Sequence, residues 1–287
     1  MTISNLPTLP RHVVERAVRT AFAEDLGEAG DITSQATISP DATAIARISA
    51  RTAGIISGLD CALAAFSLIG DGLVTEPFVA DGAKIEVGAS ILQVRGNARN
   101  LLAAERTALN FLTHLSGIAT LTHSFVLQTE GTTAHICCTR KTTPGLRALE
   151  KYAVRCGGGH NHRFGLNDAI LIKDNHIAVS GGVRQAVEAA RAFAGHLVAI
   201  EVEVDTLNQL EEALVTDVNA ILLDNMDEDT LARAVAITAG RAKLEASGNV
   251  TLERVAAIAR TGVDYISTSR ITAASMPLDL GLDIEID

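Results

Sequence analysis

In the second half of the chain, short apolar runs alternate with stretches whose apolar positions recur every three or four residues. The runs are residues 134–138, 169–172, 198–204, 220–223, 243–246 and 265–268. The stretches between them are residues 145–156, 183–194, 207–215, 230–238 and 252–261. Near-continuous apolar strands separated by amphipathic helices predict a parallel sheet covered by helices, joined by right-handed crossovers. Six such strands suit a doubly wound sheet or a barrel, and the residues at the strand ends separate the two. These ends read Thr139-Arg140-Lys141, Lys173-Asp174-Asn175-His176, Glu203-Val204-Asp205, Asp224-Asn225, Ser247-Gly248-Asn249 and Thr268-Ser269-Arg270. A barrel gathers all its C-terminal strand ends at one mouth, where active sites are built. An open sheet uses only the strands near its switch point. All six ends carry polar or charged groups, so a barrel is expected.

The first half is patterned differently. Residues 11–27 read as an amphipathic helix with Val13, Val14, Ala17, Val18, Ala21 and Phe22 on one face. Strand-like runs at 45–50, 73–79, 84–87 and 91–95 are punctuated by Asp71-Gly72, Asp81-Gly82 and Gly88, with an apolar helix at about 59–69. This pattern predicts an α/β sandwich layer. Residues 81–88 superficially resemble a lipoyl or biotinyl carrier hairpin, but no lysine stands out for modification at a tip, and an ordinary hairpin is expected. A long helical segment then covers 97–129. Its part from 107 to 129 holds no Asp, Glu, Lys or Arg and is long enough to cross a bilayer. Asn110, His114, His123 and Gln128 make it too polar for lipid, so a helix buried against protein, another subunit included, is predicted.

Composition narrows the picture. The 287 residues suffice for one large domain or two modest ones. With no Trp and 3% aromatics, the core must be built from Ala, Leu, Ile and Val. Residues 1–10 carry neither charge nor an apolar run, unlike a signal peptide. The cysteines, Cys61, Cys137, Cys138 and Cys156, show no disulfide framework, and adjacent strand residues point to opposite faces. A reducing cytoplasm is the expected compartment. Cys137, Cys156, His160 and His162 could be read as a zinc site, but no C-x-x-C pair supports that reading.

The net charge of −10 argues against nucleic acid or an anionic membrane surface as a partner. Against that background, residues 139–173 hold seven basic and two acidic residues, a +5 island that a small, multiply anionic ligand would require. Arg147, Lys151 and Arg155, spaced at four, read as a solvated helix face. Neither G-x-G-x-x-G nor G-x-x-x-x-G-K-[ST] occurs, which weakens dinucleotide and P-loop readings.

Several motifs are specific. They include Thr139-Arg140-Lys141-Thr142-Thr143-Pro144-Gly145-Leu146-Arg147, Glu150-Lys151-Tyr152-Ala153-Val154 and Gly157-Gly158-Gly159-His160-Asn161-His162-Arg163. Ile172-Lys173-Asp174-Asn175-His176, Glu201-Val202-Glu203-Val204-Asp205, Leu222-Leu223-Asp224-Asn225 and Glu245-Ala246-Ser247-Gly248-Asn249 come next in order. Glu24-Asp25-Leu26-Gly27, Gly30-Asp31-Ile32-Thr33, Glu105-Arg106-Thr107-Ala108-Leu109-Asn110 and Leu278-Asp279-Leu280-Gly281-Leu282-Asp283 complete the set. Over nearly its whole length the chain resembles quinolinate phosphoribosyltransferases. The resemblance implies an N-terminal α/β sandwich (residues 1–113, joined by 275–287). It also implies a C-terminal incomplete parallel α/β barrel of about six strands (residues 114–274). The expected assembly is a homodimer, or a larger oligomer built on it, in which Arg106 reaches the neighbouring active site.

The implied reaction converts quinolinate and phosphoribosyl pyrophosphate to nicotinate mononucleotide, pyrophosphate and CO2 in NAD biosynthesis. Quinolinate carries two adjacent carboxylates, which planar guanidinium groups grip bidentately. By resemblance, Arg106 of the neighbour, Arg140, His162 and Arg163 hold quinolinate, with Thr139 and Lys173 nearby. Lys141 and Lys173 meet the pyrophosphate, with magnesium bridging phosphate oxygens. Glu203 and Asp224 face the ribose hydroxyls and magnesium waters, and Glu201 shares the strand face of Glu203. Lys141, Lys173, Glu203 and Asp224 are thus the expected catalytic set. Ser247, Gly248 and Asn249 open a helix that anchors the 5′-phosphate, together with Thr268, Ser269 and Arg270. Ser269 departs from the family's usual glycine, which puts that phosphate loop in question if it needs φ > 0. Two rivals remain: a same-fold enzyme for another acceptor, such as nicotinate or that of the molybdenum-transport-associated branch, and a non-catalytic binding relative.

Overall fold

The computed structural model describes residues 6–285. Readings placed on residues 1–5 and 286–287 lie outside the described residues. The first half runs α1 (Arg11–Leu26), α2 (Ile32–Thr37), β1 (Thr43–Ala50), β2 (Gly54–Ile55), α3 (Leu59–Leu68), β3 (Val74–Pro77), β4 (Lys84–Ile85), β5 (Ser90–Asn97) and α4 (Ala98–Leu127). It is followed by β6 (His135–Cys137), α5 (Arg147–Cys156), β7 (Ile170–Ile172), α6 (Asp174–Ser180), α7 (Val183–Phe193), β8 (Ile200–Val204) and α8 (Leu207–Leu214). The chain closes with β9 (Ala220–Asp224), α9 (Glu228–Thr238), β10 (Lys243–Ser247), α10 (Leu252–Arg260), β11 (Tyr265–Ser267), α11 (Arg270–Ala273) and β12 (Leu280–Glu285). Two compact units result: residues 6–123, 142–158 and 271–285, and residues 124–141 with 159–270.

The first unit holds an antiparallel sheet in the order β12-β1-β5-β3. Ala44, Ala46, Ile48 and Ala50 alternate into the core from β1, as a strand with one buried face requires. The residues expected as a strand at 84–87 form only the two-residue β4, which pairs with β2 instead of a neighbouring hairpin strand. The turn before β4 has a structural task. Gly58 has no side chain to cap α3, so the carboxylate of Asp81 accepts the N–H groups of Gly58 (3.2 Å) and Leu59 (3.0 Å).

Helix α5 overturns one expectation. It buries Leu149, Glu150, Lys151, Tyr152, Ala153, Val154 and Cys156, so its charged spacing is not a solvated face. Glu150 is fully buried and accepts a bond from Thr143 N–H (3.2 Å), with the His114 ring 3.0 Å away. Gly157 follows because a Cβ there would stand 2.3 Å from the carbonyl oxygen of Ala119 on α4. The glycine-rich run therefore begins as a close packing contact.

The second unit is a six-stranded parallel sheet in the order β6-β11-β10-β9-β8-β7. Its two edges, β6 and β7, are consecutive in sequence, which makes the barrel incomplete. Helices α7 to α10 each turn a short apolar stripe inward, such as Val183, Ala186 and Val187 on α7. On β8, Ile200, Val202 and Val204 are buried, which leaves Glu201 and Glu203 on the opposite face. No helix among the described residues is long and apolar enough to cross a membrane.

Candidate active site

The C-terminal ends of the six parallel strands converge on one cleft of about 740 Å³, a size suited to a small ligand. Thr139, Arg140 and Lys141 enter from the segment after β6, and Lys173 from the end of β7. Glu203 comes from β8 and Asp224 from β9. Ser247, Gly248 and Asn249 lie at the end of β10, while Thr268, Ser269 and Arg270 lie just past β11. His162 and Arg163 complete the wall. Fourteen of the sixteen expected site residues therefore share one mouth; the exceptions are Glu201 and Arg106. Arg106 is exposed on α4 in the first unit and does not line this cleft.

Like charges stand close together here. Burial lowers the pKa of Arg163, and the neighbouring Arg140 lowers it further, while Asp168 and Glu201 oppose that fall. Two guanidinium groups this close favour an anion between them. The Arg163 guanidinium also donates to Ala169 O (3.1 Å), which fixes its aim. Lys173 pairs with the carboxylate of Glu203. Asp224 is raised above its ordinary range, first by burial and then by Glu203 and Asp205, although Lys173 pulls the other way.

The end of the cleft at residues 247–249 is built from backbone turns. Helix α10 starts at Leu252 with Thr251 before it, so Ser247-Gly248-Asn249 form a loop ahead of the helix instead of its opening turn. Asn225 and Asn249 both adopt positive φ, at 55° and 49°. Asn249 Nδ2 donates to Asn225 Oδ1 (3.1 Å), and Asn225 N–H donates to Ser247 O (2.9 Å). Between them Gly248 sits at φ 86°, where a Cβ would fall 2.2 Å from Asn225 Oδ1. Ser269 does not share this strain: the non-glycine residues with positive φ among those described are Asn225, Ala239 and Asn249. The serine therefore fits its loop without the conformation that favours glycine. Thr268 anchors that loop, donating its N–H to Cys137 O (3.0 Å) and accepting Arg270 N–H at Oγ1 (3.2 Å).

Below the arginines lies a second layer of charge. Glu201 shares the strand face of Glu203 but sits deeper, with its carboxylate 2.8 Å from His162 Nε2. Glu245 on β10 places a carboxylate oxygen 3.8 Å from the same nitrogen. The three groups bring ligand-type atoms within 4.8 Å of one another. Glu201 lines a rear cavity of about 260 Å³, to which His162, Arg163 and Glu245 also contribute. The zinc quartet does not form the metal-type cluster found among the described residues, which is His162, Glu201 and Glu245. Cys156 instead accepts a bond from Ser57 (3.4 Å) in the first unit.

Asn225 and Glu245 are among the cleft residues that were not expected as site candidates. Asn225 stands directly after a barrel strand, a position that could have flagged it. Glu245 lies on the inner strand face two residues before Ser247, and period-two alternation was the available signal.

The comparisons agree with this architecture. Residues 31–116 match the family model of the quinolinate phosphoribosyl transferase N-terminal domain, and residues 118–283 match that of its C-terminal domain. A nicotinate-nucleotide pyrophosphorylase [carboxylating] of Mycobacterium leprae is 46% identical over 93% of this chain and 95% of its own length. A probable enzyme of the same name from Bacillus subtilis is 44% identical over 92% of this chain and 91% of its own length. The solved nicotinate-nucleotide pyrophosphorylase of Francisella tularensis is similar at a TM-score of 0.94, with 39% identity over 98% of this chain and 99% of that one.

Proposed function

The chain belongs to the quinolinate phosphoribosyl transferase family, and from that premise we propose how its barrel mouth performs the reaction. It is an enzyme that transfers a phosphoribosyl group to quinolinate in NAD biosynthesis. The observation that carries the local reading is one cleft lined by Arg140, His162 and Arg163 together with Lys173, Glu203 and Asp224.

In this reading Arg140 and Arg163, beside His162, receive the two carboxylates of quinolinate. The partner subunit's Arg106 adds a third cation. Thr139 lies beside the acceptor, and Lys141 and Lys173 meet the pyrophosphate of the donor. Ser247, Gly248, Asn249, Ser269 and Arg270 receive the 5′-phosphate against the rigid asparagine turns. Glu203 and Asp224 lie beneath the ribose. As the C1–O bond to pyrophosphate breaks, positive charge develops at C1, and these carboxylates stabilise it where it forms. The quinolinate nitrogen then forms the N–C1 bond. The resulting pyridinium accepts the electron pair of the C2–carboxylate bond as CO2 leaves, and C2 takes a proton from water. No covalent enzyme intermediate is required, so catalysis rests on positioning and charge.

The donor set fits magnesium. Burial raises Asp224 first and the nearby Glu203 and Asp205 add to it, and such hard carboxylate oxygens suit that ion. Glu203 and Asp224 would hold it through its waters, and when bound it neutralises phosphate charge on the sugar donor.

A homodimer is supported by the exposure of Arg106 and by an open groove of about 750 Å³ in the first unit, lined by Val13 and Ala17 of α1 and Phe111 of α4. A cytoplasmic home is supported by four buried cysteines outside any disulfide, with burial pushing Cys61 and Cys156 up to about 12. The purified chain, given magnesium and phosphoribosyl pyrophosphate, is expected to turn quinolinate into nicotinate mononucleotide with release of CO2. Turnover of nicotinate but not quinolinate would overturn the acceptor assignment.

A further inference from the structure

The Glu201 and Glu245 carboxylates have no role in the chemistry above, yet they are among the most buried charged groups of the second unit. Side-chain exposure is 12% for His162, 13% for Glu201 and 6% for Glu245. Two carboxylates placed this close in the floor of a barrel oppose folding unless something compensates them. They also lie under a site that must attract a dianion.

The hydrogen bonds to the imidazole decide what the cluster can be. Arg163 N–H donates to His162 Nδ1 at 2.8 Å, so Nδ1 carries no proton. The neutral ring must then be protonated at Nε2, and that N–H donates to Glu201 at 2.8 Å, with Glu245 3.8 Å away. A metal ion would need the Nε2 lone pair, which this tautomer does not offer.

We infer that Glu201, with Glu245 behind it, is a positioning residue for the acceptor that acts through the His162 ring. In this clamp the Glu201 carboxylate accepts the Nε2–H at one edge of the imidazole, with Glu245 3.8 Å from the same nitrogen, and the other edge holds the backbone N–H of Arg163. Arg163 is thereby fixed at its backbone by the ring and at its guanidinium by Ala169 O. That restraint matters because Arg163 shares the cleft wall with a second cation, Arg140, which opposes its charge. The buried negative floor also offsets their charge from below. His162 thus also supports the acceptor wall through the backbone of Arg163.

The inference rests on the proposed quinolinate reaction, and its test separates the two. Histidine-selective 15N spectra of the wild-type protein at neutral pH should show His162 neutral, with the proton on Nε2. Protonation at Nδ1, or at both nitrogens, overturns the clamp even if every variant fails to fold. In steady-state assays, Glu201→Ala should raise the KM for quinolinate about tenfold, the scale of one hydrogen bond to a charged group. The KM for phosphoribosyl pyrophosphate should stay within about twofold, since its proposed contacts do not run through the ring. In a His162→Ala background the same substitution should add little further loss. Losses that multiply, or two KM values that rise together, overturn the route through His162. Failure of the wild type to use quinolinate would refute the proposed function while leaving the spectra to judge the clamp.

Discussion

Replacing Asp81 by asparagine isolates the electrostatic consequence of capping α3 from a distant turn. Burial pushes Asp81 up to about 6 from its ordinary 3.8, despite bonds from Leu59 N–H, Gly58 N–H and the Tyr152 hydroxyl that favour its charged form. A rise of about two pH units corresponds to roughly 3 kcal/mol. The folded protein keeps a proton that the unfolded chain has already released. The associated stability is therefore fully present below about pH 4 and is lost as pH rises through about 6. Asparagine cannot titrate and carries no such term. Urea unfolding of both proteins, followed by circular dichroism between pH 4 and 7, gives the difference directly. Subtraction removes slopes common to both, such as that from Asp31, which the Ser34 hydroxyl and N–H hold low. The advantage of the wild type over Asp81→Asn should shrink by roughly 3 kcal/mol across that range. A flat difference, or one that grows with pH, would refute the claim that burial outweighs the three hydrogen bonds.

Two further outcomes test the proposed site. Mixing equal amounts of inactive Arg106→Ala and Lys141→Ala subunits should restore roughly a quarter of wild-type activity, since half the dimers are mixed and each has one intact site. No rescue, with mixed dimers verified by mass spectrometry, would remove Arg106 from the partner's site. Ser269→Gly should leave the KM for phosphoribosyl pyrophosphate within about twofold, because Ser269 avoids the conformation in which glycine has the advantage. A loss above about tenfold would assign the serine hydroxyl a binding role of its own.

The barrel was legible because each of its strands is an apolar run flanked by polar ends, and topology alone then gathers those ends. Lys173, Glu203 and Asp224 could be placed that way. Depth within the barrel was less legible. Glu201 and Glu203 share a strand face, and only three-dimensional packing shows that Glu201 turns to His162 and away from the cleft. Helix α5 misled for a related reason, since the spacing of Arg147, Lys151 and Arg155 is the same whether solvent or protein surrounds the helix. Lys151 proves fully buried. Helix α6 has no buried residue and therefore no apolar stripe to announce it. Short β12 alternates too little to declare itself, and its pairing depends on β1, far away in sequence.

That pairing has a consequence for how the protein is made. β12 joins β1 along six residue pairs, from Ile45↔Glu285 to Ala50↔Leu280, so one flank of the first sheet is supplied by the end of the chain. A ribosome that has just finished β1 must add about 235 residues before Glu285 emerges, on the order of 10–50 s at ordinary elongation speeds. Throughout that interval the nascent β1 exposes a ladder of N–H and C=O groups of the kind that recruits foreign strands. The last strand thus acts as a latch set by translation itself, and a ribosome that stalls within the barrel leaves behind a sheet with an open seam.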